Sequence, residues 1–254
     1  MTALLALEHV TKTYSGVRAV DDVSLAVARH GITGLIGPNG SGKSTTIDCL
    51  SGFQALDRGR VVLDGVEITG WAPHRVARAG LIRTFQTVRV YDALSVLDNL
   101  KLAAQQAGPG GWLDALLRTR RHRGADRAAS MRARELLALI GLARHEAVPA
   151  SILSYGQKKL LALAAALMPR PKLVVLDEPV AGVNPTRIRE VEAVIRRLHA
   201  AGETFLIVEH NVDFIMNLCD RVIVFDQGRT LMEGTPDEVR TDPRVLEAYL
   251  GAGV

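Results

Sequence analysis

The sequence predicts an α/β fold, a sheet covered by helices on both faces, with a mostly helical stretch set into it. Three observations carry this. Short apolar runs of strand length alternate with segments of helical spacing. One run, Ile32-Thr33-Gly34-Leu35-Ile36, feeds a glycine-rich turn that opens a helix near Lys43. From about Val88 to Leu167, β-branched runs give way to Ala, Leu and Arg.

The elements follow in order. Residues 4–10 alternate, with Leu5, Leu7 and His9 on one side, and Val17–Val27 repeats the pattern beyond a polar turn. Arg60–Gly65 reads as a strand ending in a turn, and Leu81–Phe85 as another. Leu173–Leu176, Thr204–Val208 and Val222–Phe225 are apolar throughout, as strands of a buried parallel sheet are. Helical spacing appears over Val96–Gln105, Ala128–Ile140, Arg187–His199 and Val212–Cys219. The tail from Asp242-Pro243 to Leu250 reads as a short closing helix. Residues 88–168 are assigned to a helical subdomain inserted into a core of 1–87 and 169–254, with Gly108-Pro109-Gly110-Gly111 as its clearest loop. The basic cluster Arg118–Arg123 is read as a solvated helix end or loop.

Composition narrows the function. With 254 residues, 48% hydrophobic and 23% charged, the chain is neither disordered, collagen-like nor a coiled coil. A net charge of +4 does not argue for nucleic acid, and 4% aromatic residues make a base-stacking platform an unsuitable reading. Cys49 and Cys219 cannot build a disulfide scaffold and fit a reducing compartment. The apolar run Leu160–Met168 is about half of the roughly 20 residues a spanning helix needs. The first residues make a poor signal peptide. The chain is expected to be soluble, any membrane role coming from docking on a partner.

Gly37-Pro38-Asn39-Gly40-Ser41-Gly42-Lys43-Ser44 fits the phosphate-loop pattern in full, between a strand and a helix. Glycines let backbone N–H groups point at phosphate oxygens, and the helix start adds positive potential. Gly37, Asn39, Gly40, Ser41, Gly42, Lys43, Ser44 and Thr45 are therefore candidate nucleotide contacts, Lys43 for the β- and γ-phosphates and Ser44 for Mg2+. The apolar strand Leu173–Leu176 ends in Asp177-Glu178. Ligands of a parallel sheet sit beyond the carboxyl ends of its strands. Asp177 is thus placed to hold Mg2+ through water, and Glu178 to orient or deprotonate an attacking water. Gln86 and His210 also follow apolar strands on that side; alone, each reads more readily as a satisfied loop residue.

These pieces stand in the order of an ABC-transporter ATPase subunit, and Leu153-Ser154-Tyr155-Gly156-Gln157 resembles that family's signature sequence. The resemblance runs from Tyr14 to the last helix. It implies a P-loop NTPase with a RecA-like core, an N-terminal antiparallel β-subdomain and the inserted α-helical subdomain. It implies that Tyr14 stacks on adenine (an ordinary edge-strand tyrosine is the alternative), that Gln86 contacts Mg2+ or water, and that His210 contacts the γ-phosphate and holds Glu178. Asp177 and Glu178 become the metal-binding and the catalytic carboxylate. Ser154, Gly156 and Gln157 would face ATP held by a second ATPase chain, head to tail.

Two positions depart from the general pattern: Tyr155 stands where the family has glycine, and Asn184 where many members carry Asp. Both, with Arg83-Thr84-Phe85-Gln86, Val96, Asn99-Leu100 and Ala248-Tyr249-Leu250-Gly251, are similar to the ATPases of branched-chain amino-acid importers. The resemblance implies ATP hydrolysis on the cytoplasmic face of the membrane. The partners would be a second ATPase chain, identical or different, two transmembrane permease subunits and, indirectly, a substrate-binding protein, with no nucleic acid. Other cargo (urea, short amides, lipopolysaccharide) and a soluble ABC ATPase acting on nucleic acid or the ribosome are the alternatives. One phosphate loop and a modest helical insert favour transport.

Overall fold

The computed structural model describes residues 3–84, 89–105 and 120–251. They fall into two compact units: Met1–Arg83 with Lys172–Ala181 and His199–Val254, and Thr84–Pro171 with Gly182–Leu198.

The first unit holds two sheets. In one, β1 (Ala3–Tyr14), β2 (Val17–Ala28), β4 (Arg58–Leu63) and β5 (Val66–Glu67) lie in the order β2-β1-β4-β5, every pair antiparallel. In the other, the order is β10-β9-β3-β8-β7-β6, from β3 (Ile32–Ile36), β6 (Leu81–Arg83), β7 (Leu173–Asp177), β8 (Phe205–Val208), β9 (Arg221–Asp226) and β10 (Arg229–Gly234). Its pairs are parallel except β9 with the edge strand β10. β3, β7 and β8 are buried along their whole length, in keeping with their mostly apolar sequences, Thr33 and Asp177 being the polar exceptions. Leu5, Leu7, Val61 and Leu63 of the first sheet share one core with Leu35, Val175, Leu206, Ile223 and Phe225 of the second. Each such side chain contributes about 1.5–3 kcal/mol on leaving water. Around the sheets run α1 (Lys43–Leu50) and α2 (Pro73–Ala79).

The second unit contains α3 (Val96–Gln105), α4 (Arg120–Leu139) and α5 (Tyr155–Leu167). Asn99, buried on α3, accepts from the Tyr91 amide and donates to the carbonyls of Tyr91 and Ser95, so it shapes the turn that starts the helix. Further along the chain, α6 (Ile188–Ala200) buries Val191, Val194, Ile195 and Leu198 at helical spacing. The first unit closes with α7 (Val212–Leu218), α8 (Pro236–Thr241) and α9 (Pro243–Gly251). No helix among the described residues is long and apolar enough to cross a membrane.

Some expectations change. His9 does not share the buried side of Leu5 and Leu7: it sits at φ 52° beside a register shift, is exposed, and turns Val10 into the core instead. Gly59 makes room for this bulge, since a Cβ there would lie 2.4 Å from the His9 carbonyl oxygen. The helix expected over Ala128–Ile140 begins at Arg120, inside the basic cluster read as a helix end or loop. β6 ends at Arg83, and Phe85, Gln86 and the loop 108–111 lie outside the described residues. The periodicity missed β5, β10, α2 and α8, each seven residues or shorter.

Candidate functional site

The phosphate-loop sequence leaves the end of β3 at Gly37 and enters α1 at Lys43. Two glycines are fixed by geometry. Gly37 has φ 151°, and a Cβ on it would lie 2.2 Å from the Phe225 carbonyl oxygen. Gly42, the N-cap of α1, has φ 97°, and a Cβ there would lie 2.3 Å from the Ala19 carbonyl oxygen. Any side chain at either position strains the backbone and clashes with main chain. Gly40, φ 78°, faces open space. Ser41 is buried, whereas Asn39 and Ser44 are exposed and Thr45 half-buried.

Lys43 is 4% exposed, and its ammonium donates to the Gly37 oxygen at 2.7 Å, the Pro38 oxygen at 2.9 Å and Ser41 Oγ at 3.3 Å. Burial holds it below the usual lysine range, and the nearby Glu178 carboxylate works against that shift. The loop thus encloses a desolvated cation in a ring of neutral oxygens, and an anion beside it would supply the charge those oxygens lack.

The carboxylates stand at the end of β7. Asp177, 7% exposed, is paired with Arg83, whose Nη2 lies 2.8 Å from its Oδ2. Arg83 Nη1 reaches Asp48 Oδ1 of α1 at 2.5 Å, so one guanidinium ties α1, β6 and β7 together. Glu178 follows at φ 51°, left-handed for a residue with a side chain. Its amide donates to the Val208 carbonyl, and His210 Nε2 lies 3.1 Å from Glu178 Oε1. Glu209 is 3% exposed; its Oε1 accepts from the Val180 amide, and its Oε2 from the amides of His210 and Asn211. Tyr14, at the end of β1, is exposed, with Lys12 Nζ 5.3 Å from its ring centre.

In the second unit, Ser154 caps α5. Its Oγ accepts from the Gln157 amide, and Gln157 Oε1 accepts from the Ser154 amide, a closed capping box. Tyr155 is half exposed and its ring edge lies 3.2 Å from where a Cβ on Gly182 would be. A Cβ on Gly156 would meet nothing within 4 Å. Asn184 Oδ1 accepts from the amide and the hydroxyl of Thr186, capping the turn that follows.

Of the expected site residues, the first unit brings together the loop, Asp177, Glu178 and His210; Ser154, Gly156 and Gln157 belong to the second unit, and Gln86 lies outside the described residues. The sequence assigns no role in the site to Arg83, which enters there as part of a motif, or to Glu209. Arg83 is the charged last residue of β6 and Glu209 the charged residue directly after β8, and a charge at a strand's carboxyl end is the signal that marks both.

An anion cradle at the carboxyl end of β3, with carboxylates at the end of β7 on the far side of β8, defines the fold as that of a phosphate-loop NTPase. The family model described as ABC transporter matches residues 20–181, and one described as branched-chain amino acid ATP-binding cassette transporter matches residues 229–254. The chain belongs to the ABC transporter family. It is 38% identical to the high-affinity branched-chain amino acid transport ATP-binding protein LivG of Salmonella typhimurium and 36% identical to BraF of Pseudomonas aeruginosa, in each case over 98% of both chains. A crystal structure of an ATP-binding cassette of an ABC transporter, in its ADP conformation, superposes with a TM-score of 0.84 at 34% identity, covering 99% of this chain and 100% of that one.

Proposed function

We propose that this chain is the ATP-hydrolysing subunit of an ABC importer for branched-chain amino acids. The observation that carries the chemistry is the 3.1 Å contact of His210 with Glu178, at the end of the strand whose Asp177 stands beside it. A carboxylate held by an imidazole can keep a water in line with a phosphoryl group and take its proton.

ATP hydrolysis converts ATP and water to ADP and phosphate, and catalysis is positioning and charge stabilisation. In the proposal, the amides of Gly37, Asn39, Gly40, Ser41 and Gly42 cradle the phosphates, and Thr45 adds a contact. Lys43 exchanges its loop oxygens for phosphate oxygens. Tyr14 stacks on adenine. The donor set suits Mg2+ carried in with the nucleotide: the exposed Ser44 hydroxyl and the Asp177 carboxylate are hard oxygen ligands, and Gln86 would add a third. When bound, Mg2+ neutralises charge on the phosphates. Glu178 accepts the proton of the water, and His210 holds Glu178 and the γ-phosphate in register.

The helix start of Ser154, Gly156 and Gln157 would complete the site of a second ATPase chain, head to tail. A helical subdomain over 88–168, set into a nucleotide-binding core of 1–87 and 169–254, would receive a cytoplasmic helix of a permease. The chain would work on the cytoplasmic face of the membrane, with two permease subunits and, indirectly, a substrate-binding protein.

Uptake tests the reading. Labelled leucine, valine, glutamate and urea are offered to cells carrying the wild-type chain or Glu178→Gln as the only copy. Selective loss of leucine and valine uptake is expected. Loss confined to another solute would replace the cargo and keep the transporter; unchanged uptake of all four would overturn the assignment.

A further inference from the structure

We infer that Glu209 is a positioning residue for hydrolysis: its buried carboxylate joins the turn that carries Glu178 to the turn that carries His210. This rests on the proposed roles of Glu178 and His210.

The geometry is a closed circuit within the first unit. The Glu178 amide is bonded to the Val208 carbonyl, and the His210 ring meets the Glu178 carboxylate. Between them, Glu209 Oε1 takes the Val180 amide at 2.9 Å, two residues beyond Glu178, while Oε2 takes the amides of His210 at 2.9 Å and Asn211 at 3.2 Å. Both oxygens are used, one for each turn, and the residue is 3% exposed. A carboxylate has only acceptors and can satisfy amides on both sides at once; a carboxamide of the same shape turns an N–H donor toward one of the two turns. Glu178 also needs an external constraint. Its φ of 51° is one that a residue with a side chain holds only where its surroundings over-determine it. The Val180 bond supplies such a constraint immediately downstream. Without the coupling, each turn keeps its own strand, but the contact between Glu178 and His210 is free to lengthen.

Two variants separate coupling from mere support. Glu209→Gln is isosteric and breaks one side. Glu209→Asp is one methylene shorter; it can still serve the adjacent amides of His210 and Asn211 but releases Val180. Steady-state ATPase activity of the full chain is measured at two temperatures, with affinity for a fluorescent ATP analogue and the melting temperature. Both variants are expected to lose kcat on the order of tenfold or more, as misplacement by a fraction of an ångström does, with KM and analogue affinity within about twofold. The loss should persist at the lower temperature, where the variants are fully folded. A wild-type kcat in Glu209→Asp, or a loss that vanishes on cooling, would overturn the inference. Glu178→Gln is run alongside: if it hydrolyses ATP at the wild-type rate, the reading of Glu178 fails, whatever Glu209 does.

Discussion

Lys43 is the residue on which the loop turns. Its ammonium is buried among carbonyls, so Lys43→Ala removes the local positive charge and the loop's internal bonds together. Nucleotide affinity should fall by on the order of tenfold or more, the loss expected for one charge-assisted contact, as read by titration with a fluorescent ATP analogue. Glu178→Gln should leave that affinity intact and lower kcat by about 10²-fold or more, the contribution of a positioned general base, while an ATP-bound dimer accumulates on a sizing column. Cys49 is a different case. Burial pushes its thiol up to about 11, and it is 6% exposed. At pH 8 it is therefore a protonated thiol, and iodoacetamide should label it only after denaturant unfolds the chain. The residues of the phosphate loop were legible in the sequence because backbone geometry there dictates residue type. Glu209 was not, because its role lies in amides that any sequence provides, and a sequence does not show which carboxylate they will meet.

At the scale of elements, helix starts and strand ends do the work. The capping box of Ser154 and Gln157 begins the α5 helix, and Ser154→Ala should cost about 1 kcal/mol of stability, measurable as a lower urea midpoint with unchanged slope. Arg83 joins α1 to the carboxyl end of β7 through two carboxylates, and its side chain is only 10% exposed. Arg83→Leu leaves Asp177 buried without that partner and should destabilise the chain by about 3 kcal/mol, seen as a fall in melting temperature. Strands such as β3, β7 and β8 were readable because burial on both faces leaves a mostly apolar run. β10 was not. It is the end strand of its sheet among the described residues, and its sequence, Arg229-Thr230-Leu231-Met232-Glu233-Gly234, mixes charge with apolar residues as sheet edges do. His9 defeated simple alternation for a related reason: one bulged residue moves every later side chain to the other face.

At the scale of the whole molecule, the fold class was legible from alternation and from one motif. The order of strands was not, since parallel pairing joins segments far apart in sequence and periodicity carries no information about neighbours. That order has a consequence for how the chain is made. β1, β2, β4 and β5 all lie within the first 67 residues and pair among themselves, so this sheet can close while the ribosome is still at work. β3, which delivers the phosphate loop, leaves the ribosome between β2 and β4, but among the described residues its partners are β8 and β9, which lie beyond residue 204. The strand at the centre of the catalytic sheet therefore waits, unpaired and apolar, for most of translation. A nascent chain arrested at residue 200 should hold a protease-resistant N-terminal sheet and no capacity to retain nucleotide, and release past residue 226 should confer it. Until that moment the cell is carrying an exposed hydrophobic strand, which makes this stretch of synthesis the one at which a chaperone would matter most.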